Sequence, residues 1–164
     1  EAWDNPYELP EQILDNRFND VARGQMHFSM KDVFRNALGY ADILQDEIYH
    51  TKALTPATPW NGNRVPKKPI SVMLEETDDV VKVVINNKKR KDVRKYIVYR
   101  FEGNKRGDYE NPEHIIGVVY DNDGQAVFID KDRDPHKRYT YGVTSVSPTG
   151  IESKGAKERK TKNK

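Results

Sequence analysis

Residues 138–146 read Arg-Tyr-Thr-Tyr-Gly-Val-Thr-Ser-Val, so bulky side chains alternate with small or polar ones over one strand length. Successive side chains of a strand point to opposite faces, and Tyr139, Tyr141 and Val143 therefore share one face. A Ser-Pro-Thr-Gly turn follows at 147–150. A tyrosine that opens such a strand can bury its ring and return its hydroxyl to nearby backbone. The stretch predicts a strand with one face in a core, around which neighbouring strands are built.

The period of two continues through the C-terminal two-thirds of the chain. Strands are predicted at 70–74, 80–86, 95–101, 115–120, 126–129, 139–146 and near 152–157. Turn residues such as the Asn-Asp-Gly at 122–124 separate them. Short strands at this spacing over about 90 residues predict a mainly β fold, an antiparallel sandwich.

The N-terminal part of the chain has a different pattern. A short helix fits residues 10–17, because a proline suits the first helical position and a glutamate favours the first turn. Residues 24–29 read as a brief strand in which Met26 and Phe28 share a face.

Apolar residues at helical spacing then predict one amphipathic helix over 30–49, with Ser29 and Asp32 as a capping box at its start. The N-terminal segment supplies too little else to cover the apolar face of this helix. The helix–strand–helix segment is therefore predicted to belong to a larger α/β structure whose remainder is absent.

A proline-rich segment separates these two patterns. Residues 54–69 hold four of the nine prolines, a density that no helix or central strand tolerates. We expect a stiff linker with Trp60 as its only large anchor. The predicted organisation is the helix–strand–helix segment, an incomplete part of a larger α/β domain, at 1–53, the linker at 54–69, a sandwich at 70–157 and a basic disordered tail at 158–164.

Composition excludes several classes of function. The chain has no cysteine, which rules out disulfides, cysteine-based zinc sites and thiol catalysis. A net charge of +2 predicts no general attraction to nucleic acid. The printed sequence contains no apolar run long enough to span a membrane and no signal peptide. It begins Glu-Ala-Trp without Met, so we expect a processed product or a piece of a longer protein.

Three of the predicted strand regions carry a family resemblance. Residues 95–101, 139–146 and 150–153 resemble strands C, F and G of a fibronectin type III domain. With the N-terminal residues 12–17, 24–29 and 53–56, the chain more narrowly resembles the C-terminal region of bacterial glycosyl-hydrolase-10-like lipoproteins. On this resemblance, residues 25–29 match the last strand of a (β/α)8 barrel and residues 30–49 match its last helix. Strand B departs from the type III pattern, since residues 81–85 are aliphatic where a buried tryptophan is usual.

The resemblance implies that the parent protein is a glycoside hydrolase. Such enzymes use acidic residues at the C-terminal ends of barrel strands. Those strands would precede Glu1, so no catalytic residue is assigned to this chain. The resemblance also implies export to the bacterial periplasm or cell surface, and membrane attachment only through a lipid anchor of the parent.

Neither a metal nor a cofactor is predicted. The alternating carboxylates of 130–134 lack the EF-hand pattern, because Pro135 and Tyr141 stand where glycine and glutamate are needed. The four histidines are scattered with no pair at helical spacing, which argues against a zinc site. They are His27, His50, His114 and His136.

The strand at 95–101 offers the candidate binding residues. Tyr96 and Val98 are predicted to face the core, which directs Ile97, Tyr99 and Phe101 to the opposite face. An intramolecular cover is one explanation for so much apolar surface, and a platform for sugar rings or a protein partner is the other. The carbohydrate- or partner-binding candidates are Tyr99, Phe101 and Trp60.

We therefore expect a catalytically inert chain that serves its parent as an accessory or structural module, with the missing catalytic barrel as partner. One alternative is a carbohydrate-binding module, for which Tyr99, Phe101 or Trp60 should be exposed together on a flat surface. The other is a protein-interaction sandwich, for which an exposed strand edge or a dimer through the 30–49 helix is expected.

Overall fold

The computed structural model describes residues 4–19, 21–22, 24–104 and 107–162. The chain divides into two compact units, Glu1–Lys52 and Ala53–Lys164. Within the described residues, no helix combines the length and the apolar character needed to cross a lipid bilayer.

The first unit is helical. It contains α1 (Glu8–Phe18), α2 (Met30–Arg35) and α3 (Tyr40–Ile43), with a 3-10 turn at Ala37–Gly39 and a π-helical turn at Leu44–Ile48. Its core is small. Ile13, Leu44 and Ile48 are buried, and Leu9 and Tyr40 pack against them.

The predicted single helix over 30–49 is wrong, because the backbone turns left-handed after α2. Asn36, Leu38 and Gly39 have φ values of 45°, 58° and 74°. Asn36 ends α2, and its side-chain amide accepts a hydrogen bond from the Ala41 amide at 2.9 Å and donates to Asp42 at 2.8 Å. Asparagine and glycine tolerate this backbone region, so the local interactions of Asn36 outweigh the helical spacing of apolar residues.

The predicted strand at 24–29 is also absent. These residues have no regular secondary structure. A strand needs a neighbour for its backbone hydrogen bonds, and the described part of this unit offers no other strand.

The second unit is an antiparallel β-sandwich, which confirms the predicted fold class. Its strands are β1 (Ser71–Glu76), β2 (Val81–Asn86), β3 (Lys95–Glu102), β4 (Ile115–Tyr120), β5 (Gln125–Asp130), β6 (Tyr139–Val146) and β7 (Arg159–Lys160). One sheet has the order β1-β2-β5 and the other the order β4-β3-β6-β7. This division of strands is that of fibronectin type III and related sandwiches. Short 3-10 turns lie at Pro59–Asn61 and Pro112–His114.

The core between the sheets follows the predicted alternation. β2 contributes Val81, Val83 and Ile85, the aliphatic side chains that replace the usual tryptophan. Tyr96 and Val98 of β3 face them, as predicted. Tyr139, Tyr141 and Val143 of β6 join the same core.

The C-terminal residues depart from the prediction. Only Glu152 of the expected last strand forms a β-bridge, with Val146. The paired strand is β7, and the next residue, Thr161, is buried with its amide donating to the Tyr139 carbonyl at 2.9 Å. Residues 159–161 are therefore part of the sandwich rather than a disordered tail, because their backbone pairs with β6. The last two residues of the predicted tail, 163 and 164, lie outside the described residues.

The proline-rich segment lies along the sandwich. The Thr58 amide donates to the Thr149 carbonyl at 2.8 Å, and the Thr149 hydroxyl donates to the Gly62 carbonyl at 2.8 Å. Pro66 is buried, whereas Trp60 is 78% exposed. The expectation that Trp60 anchors this segment is therefore wrong, since backbone hydrogen bonds and buried prolines hold it.

A buried ion pair joins the two sheets. Asp130 at the end of β5 is buried, and Nη1 of Arg100 on β3 lies 3.0 and 2.9 Å from its two carboxylate oxygens. The Tyr141 hydroxyl donates to Asp130 at 2.7 Å. Burial and this hydrogen bond raise the pKa of Tyr141, so the phenol remains a donor. Asp130 thus holds one residue from each of two neighbouring strands of the opposite sheet.

Replacing Asp130 by alanine should strongly destabilise the sandwich. The substitution leaves the Arg100 guanidinium and the Tyr141 hydroxyl without their shared acceptor, which should cost about 3–5 kcal/mol of unfolding free energy. Urea unfolding followed through amide resonances of β3 and β6 measures the loss. Asp132→Ala removes the same carboxylate from an exposed site of the same connection, and should change stability by less than about 0.5 kcal/mol. Equal effects of the two substitutions would contradict a structural role for the ion pair.

Candidate functional site

The structure buries two of the three candidate binding residues. Tyr99 is 0% exposed and Phe101 is 3% exposed. Together with Ile97, Ile115 and Val146 they form the outer cluster, which lies on the face of β3 opposite the main core. Leu54 and Tyr109 pack over this cluster. The two aromatic rings and Trp60 therefore do not form a shared exposed platform, because the chain supplies its own cover.

Tyr109 is the main covering residue. Its ring packs edge-on against Tyr99 at 4.9 Å and against Phe101 at 5.2 Å between ring centroids. A Cβ atom on Gly142 would lie 2.3 Å from the Tyr109 hydroxyl oxygen, and one on Gly155 would lie 2.6 Å from it. The two glycines therefore provide the space into which Tyr109 inserts. A glycine inside a strand often marks such a close approach, so Gly142 was the available sequence signal.

Two glutamates complete the layer above the outer cluster. The Tyr99 hydroxyl donates to Glu152 at 2.7 Å, and the Thr144 hydroxyl donates to the same carboxylate oxygen at 2.6 Å. The Tyr109 hydroxyl donates to Glu158 at 3.1 Å. Burial, followed by the hydrogen bond to Glu152, raises the pKa of Tyr99, so this phenol also stays protonated. The arrangement fixes the cover and pairs its polar groups within the protein.

Trp60 lies apart from this layer. It occupies the 3-10 turn Pro59–Asn61 and is the candidate residue with an accessible ring. Aromatic faces of this kind can stack on sugars or on apolar groups of a protein. Its role stays a prediction.

The helical unit carries a large exposed apolar surface. We call this surface the apolar face; its members are Phe18, Val21, Met26, Phe28, Met30, Phe34 and Leu38, and each of them is exposed. Phe28 is 100% exposed. The small core of this unit does not cover these side chains, which makes the apolar face the candidate interaction surface of the unit.

The polar side chains of the 24–29 segment contact Tyr49. The Gln25 side-chain amide donates to the Tyr49 hydroxyl at 2.7 Å, and His27 Nε2 lies 3.2 Å from the same oxygen. The Arg17 guanidinium lies 5.4 Å above the Tyr49 ring. His27 therefore belongs to a polar cluster on the helical unit. Within the described residues, no group of three or more His, Asp or Glu side chains is arranged to hold a metal ion.

The chain is similar in sequence to a curated bacterial protein. It is 37% identical over 159 residues to the protein named Glycosyl hydrolase YngK from Bacillus subtilis. The match covers 94% of this chain and 30% of YngK, so the chain spans about a third of the length of that relative. No protein-family model matches the chain.

Solved structures resemble the chain more distantly. Pectate lyase Pel3 from Pectobacterium carotovorum matches with a TM-score of 0.43 and 19% identity, over 57% of this chain and 26% of that one. The third fibronectin III domain of human KIAA0343 matches with a TM-score of 0.42 and 17% identity, over 58% of this chain and 79% of that one.

Filling the space beside Gly142 should release Tyr109. In Gly142→Ala either the new methyl group or the Tyr109 ring must move, which should cost about 1–3 kcal/mol of unfolding free energy. Urea unfolding measures the loss, and nuclear Overhauser contacts between the Tyr99 and Tyr109 rings report the movement. Gly24→Ala is the control, because a Cβ atom on Gly24 would meet no other atom within 4 Å. Unchanged ring contacts in Gly142→Ala would contradict the role given to this glycine.

Proposed function

We propose that the chain is the C-terminal region of a bacterial glycoside hydrolase. In this proposal the helical unit completes the catalytic barrel, and the sandwich is a non-catalytic accessory module. The identity to YngK supports the proposal, because it covers 94% of this chain, and so runs through both units, but only 30% of that glycosyl hydrolase.

The apolar face is the observation that carries the proposal. Phe28 and Met26 alternate with Gln25 and His27 along the 24–29 segment, and the two apolar side chains have no cover. Burial of a phenylalanine side chain of this kind contributes about 1.5–3 kcal/mol. The remaining strands and helices of a barrel would supply both the neighbours that a strand at 24–29 needs and the cover for Phe28. The occupant that we assign to the apolar face is therefore the rest of the catalytic barrel.

The sandwich differs from the helical unit in this respect. Its core and its outer cluster are both closed by its own residues. A self-contained module of this kind suits an accessory role, in which it folds independently of the chemistry. We further propose, from the family resemblance, that the parent lies in the periplasm or at the cell surface and is attached to a membrane by a lipid anchor.

A carbohydrate-binding role for the sandwich is the second candidate. The exposed ring of Trp60 favours it, although Tyr99 and Phe101 are unable to contribute their faces. Such a role would place the accessory module on the polysaccharide that the parent hydrolyses.

A chimera tests the main proposal. The matched segment of YngK is replaced by this chain, and release of reducing ends is measured on polysaccharides that intact YngK hydrolyses. We expect the chimera to be active, the chain alone to be inactive, and YngK without the segment to be inactive. Hydrolysis by the chain alone, or an inactive folded chimera, would overturn the proposal.

One substitution links this activity to the apolar face. Phe28→Asp should leave the isolated chain as stable as before, since the side chain is fully exposed there. In the chimera it should lower the unfolding free energy by at least about 3 kcal/mol, because the side chain is buried by the barrel. Tyr120→Asp replaces an exposed aromatic residue of the sandwich and should be neutral in both proteins. A neutral Phe28→Asp chimera would contradict the assigned occupant.

A further inference from the structure

A polar groove lies at the end of the sandwich where β1 and β5 end and β6 begins. The turn after β1, the connection between β5 and β6 and the residue that follows Thr161 meet there, and they enclose a volume of about 620 Å³. Four cationic side chains line the groove, against two carboxylates. The cations are Arg133, Lys137, Arg138 and Lys162, and the carboxylates are Glu76 and Asp78.

Arg133 has the most unusual surroundings of these residues. It is 9% exposed, and among the described residues its guanidinium donates to the Thr77 and Asp78 carbonyls, at 2.8 and 3.3 Å. Its Nε atom is buried without a hydrogen-bond acceptor, and no ion pair with Arg133 occurs within the described residues. Burying a positive charge without a carboxylate partner is unfavourable. A ligand that brings negative charge to the groove would relieve this cost.

The other charges reinforce the positive field. Glu76 accepts the Lys162 backbone amide at 3.1 Å, and this contact places the Lys162 side chain at the groove. Lys137 pairs with Glu102 at 3.1 Å, but both side chains are largely exposed. Exposed pairs of this kind are weak, so Lys137 can exchange Glu102 for another anion. Arg138 and Lys162 are exposed and form no ion pair among the residues that the structure describes.

We infer that this groove binds the carboxylate groups of an acidic oligosaccharide, one that contains uronic acid residues. Guanidinium groups match the geometry of carboxylates, and the volume lies within the range of about 300–1,000 Å³ for small-ligand sites. The described lining includes one imidazole, that of His136, but no Phe, Tyr or Trp, so it lacks the run of stacking rings that a single-stranded nucleic acid site uses. The charge argument stands on the groove alone, whereas the choice of a sugar rests on the proposed function.

The test is an NMR titration of the whole chain with trigalacturonate. Its methyl ester is the matched ligand, because esterification removes the charges and keeps the sugar. Trigalacturonate should shift amide resonances at residues 76–78, 133–134 and 136–138, and the ester should shift none of them. Rising salt should weaken the binding, since ions screen contacts between exposed charges.

Variants locate the site. Arg138→Gln with Lys162→Gln removes two exposed cations of the groove and should weaken binding at least about tenfold, since hydrogen bonds to charged groups are the stronger ones. Lys88→Gln with Lys91→Gln removes the same charge from the connection between β2 and β3, at the opposite end of the sandwich, and should leave affinity unchanged.

Several outcomes would overturn the inference. They are equal binding of the ester, absence of binding, shifts confined to another surface, and equal loss of affinity in the two double variants. Tighter binding of a glycerol phosphate polymer would overturn the assignment to carboxylates. If the chimera is active but this chain does not bind trigalacturonate, the binding role of the groove is wrong and the proposed function still stands. If the chimera is inactive but the chain binds trigalacturonate specifically, the proposed function is wrong and the binding role of the groove still stands.

Discussion

Every residue of β6 is buried, and the architecture of the sandwich follows from the need to cover both faces of this strand. The inner face meets the side chains of the β1-β2-β5 sheet. The outer face is covered by Tyr109 and by Glu152, and Tyr109 reaches it because Gly142 has no side chain. β6 therefore lies between two layers of side chains. The β1-β2-β5 sheet covers one face, and Tyr109 with Glu152 covers the other.

The sequence predicts the strands well because their period is a local property. Six predicted strands match observed ones closely at both ends.

The contacts on the outer face of β6 are harder to predict, because alternation with Thr140 and Thr144 indicates a polar face without showing which residues pack against it. Here the Thr140 hydroxyl donates to the Gly103 carbonyl at 2.7 Å, and Thr144 donates to Glu152. These partners come from distant parts of the chain, which no local pattern specifies. The same limit explains why Tyr99 and Phe101 were predicted correctly to face away from the main core, yet are not available as a binding platform.

In the helical unit, the prediction from apolar spacing failed because local hydrogen bonds decide where the helix ends. Its apolar spacing over 30–49 predicted a single helix, but Asn36 makes hydrogen bonds with its neighbours that end α2. Phe34 and Leu38 then remain exposed. Both units have exposed apolar side chains, but the main core and the outer cluster of the sandwich are covered by its own residues, whereas the helical unit leaves Phe28 fully exposed beside a small core, and this is a physical asymmetry. It argues that the two units meet different requirements, with the sandwich closed on itself and the helical unit shaped to join other elements.

The connection between β5 and β6 keeps the carboxylate of Asp130, which pairs inside the sandwich, apart from the cations that line the groove. Asp130 at its start points into the sandwich, where Arg100 and Tyr141 occupy its oxygens. Arg133 follows closely in sequence, but Asp130 does not form an ion pair with it, and backbone carbonyls are its acceptors instead. The buried carboxylate of Asp130 is paired with Arg100. The positive charge of Arg133 therefore adds to the positive electrostatic potential at the groove. The cations that would contact a ligand directly, Arg138 and Lys162, are exposed and take no part in the ion pair between the sheets. Substituting these exposed cations should therefore change the charge of the groove without loosening the core, which is what separates the proposed binding from the stability of the fold.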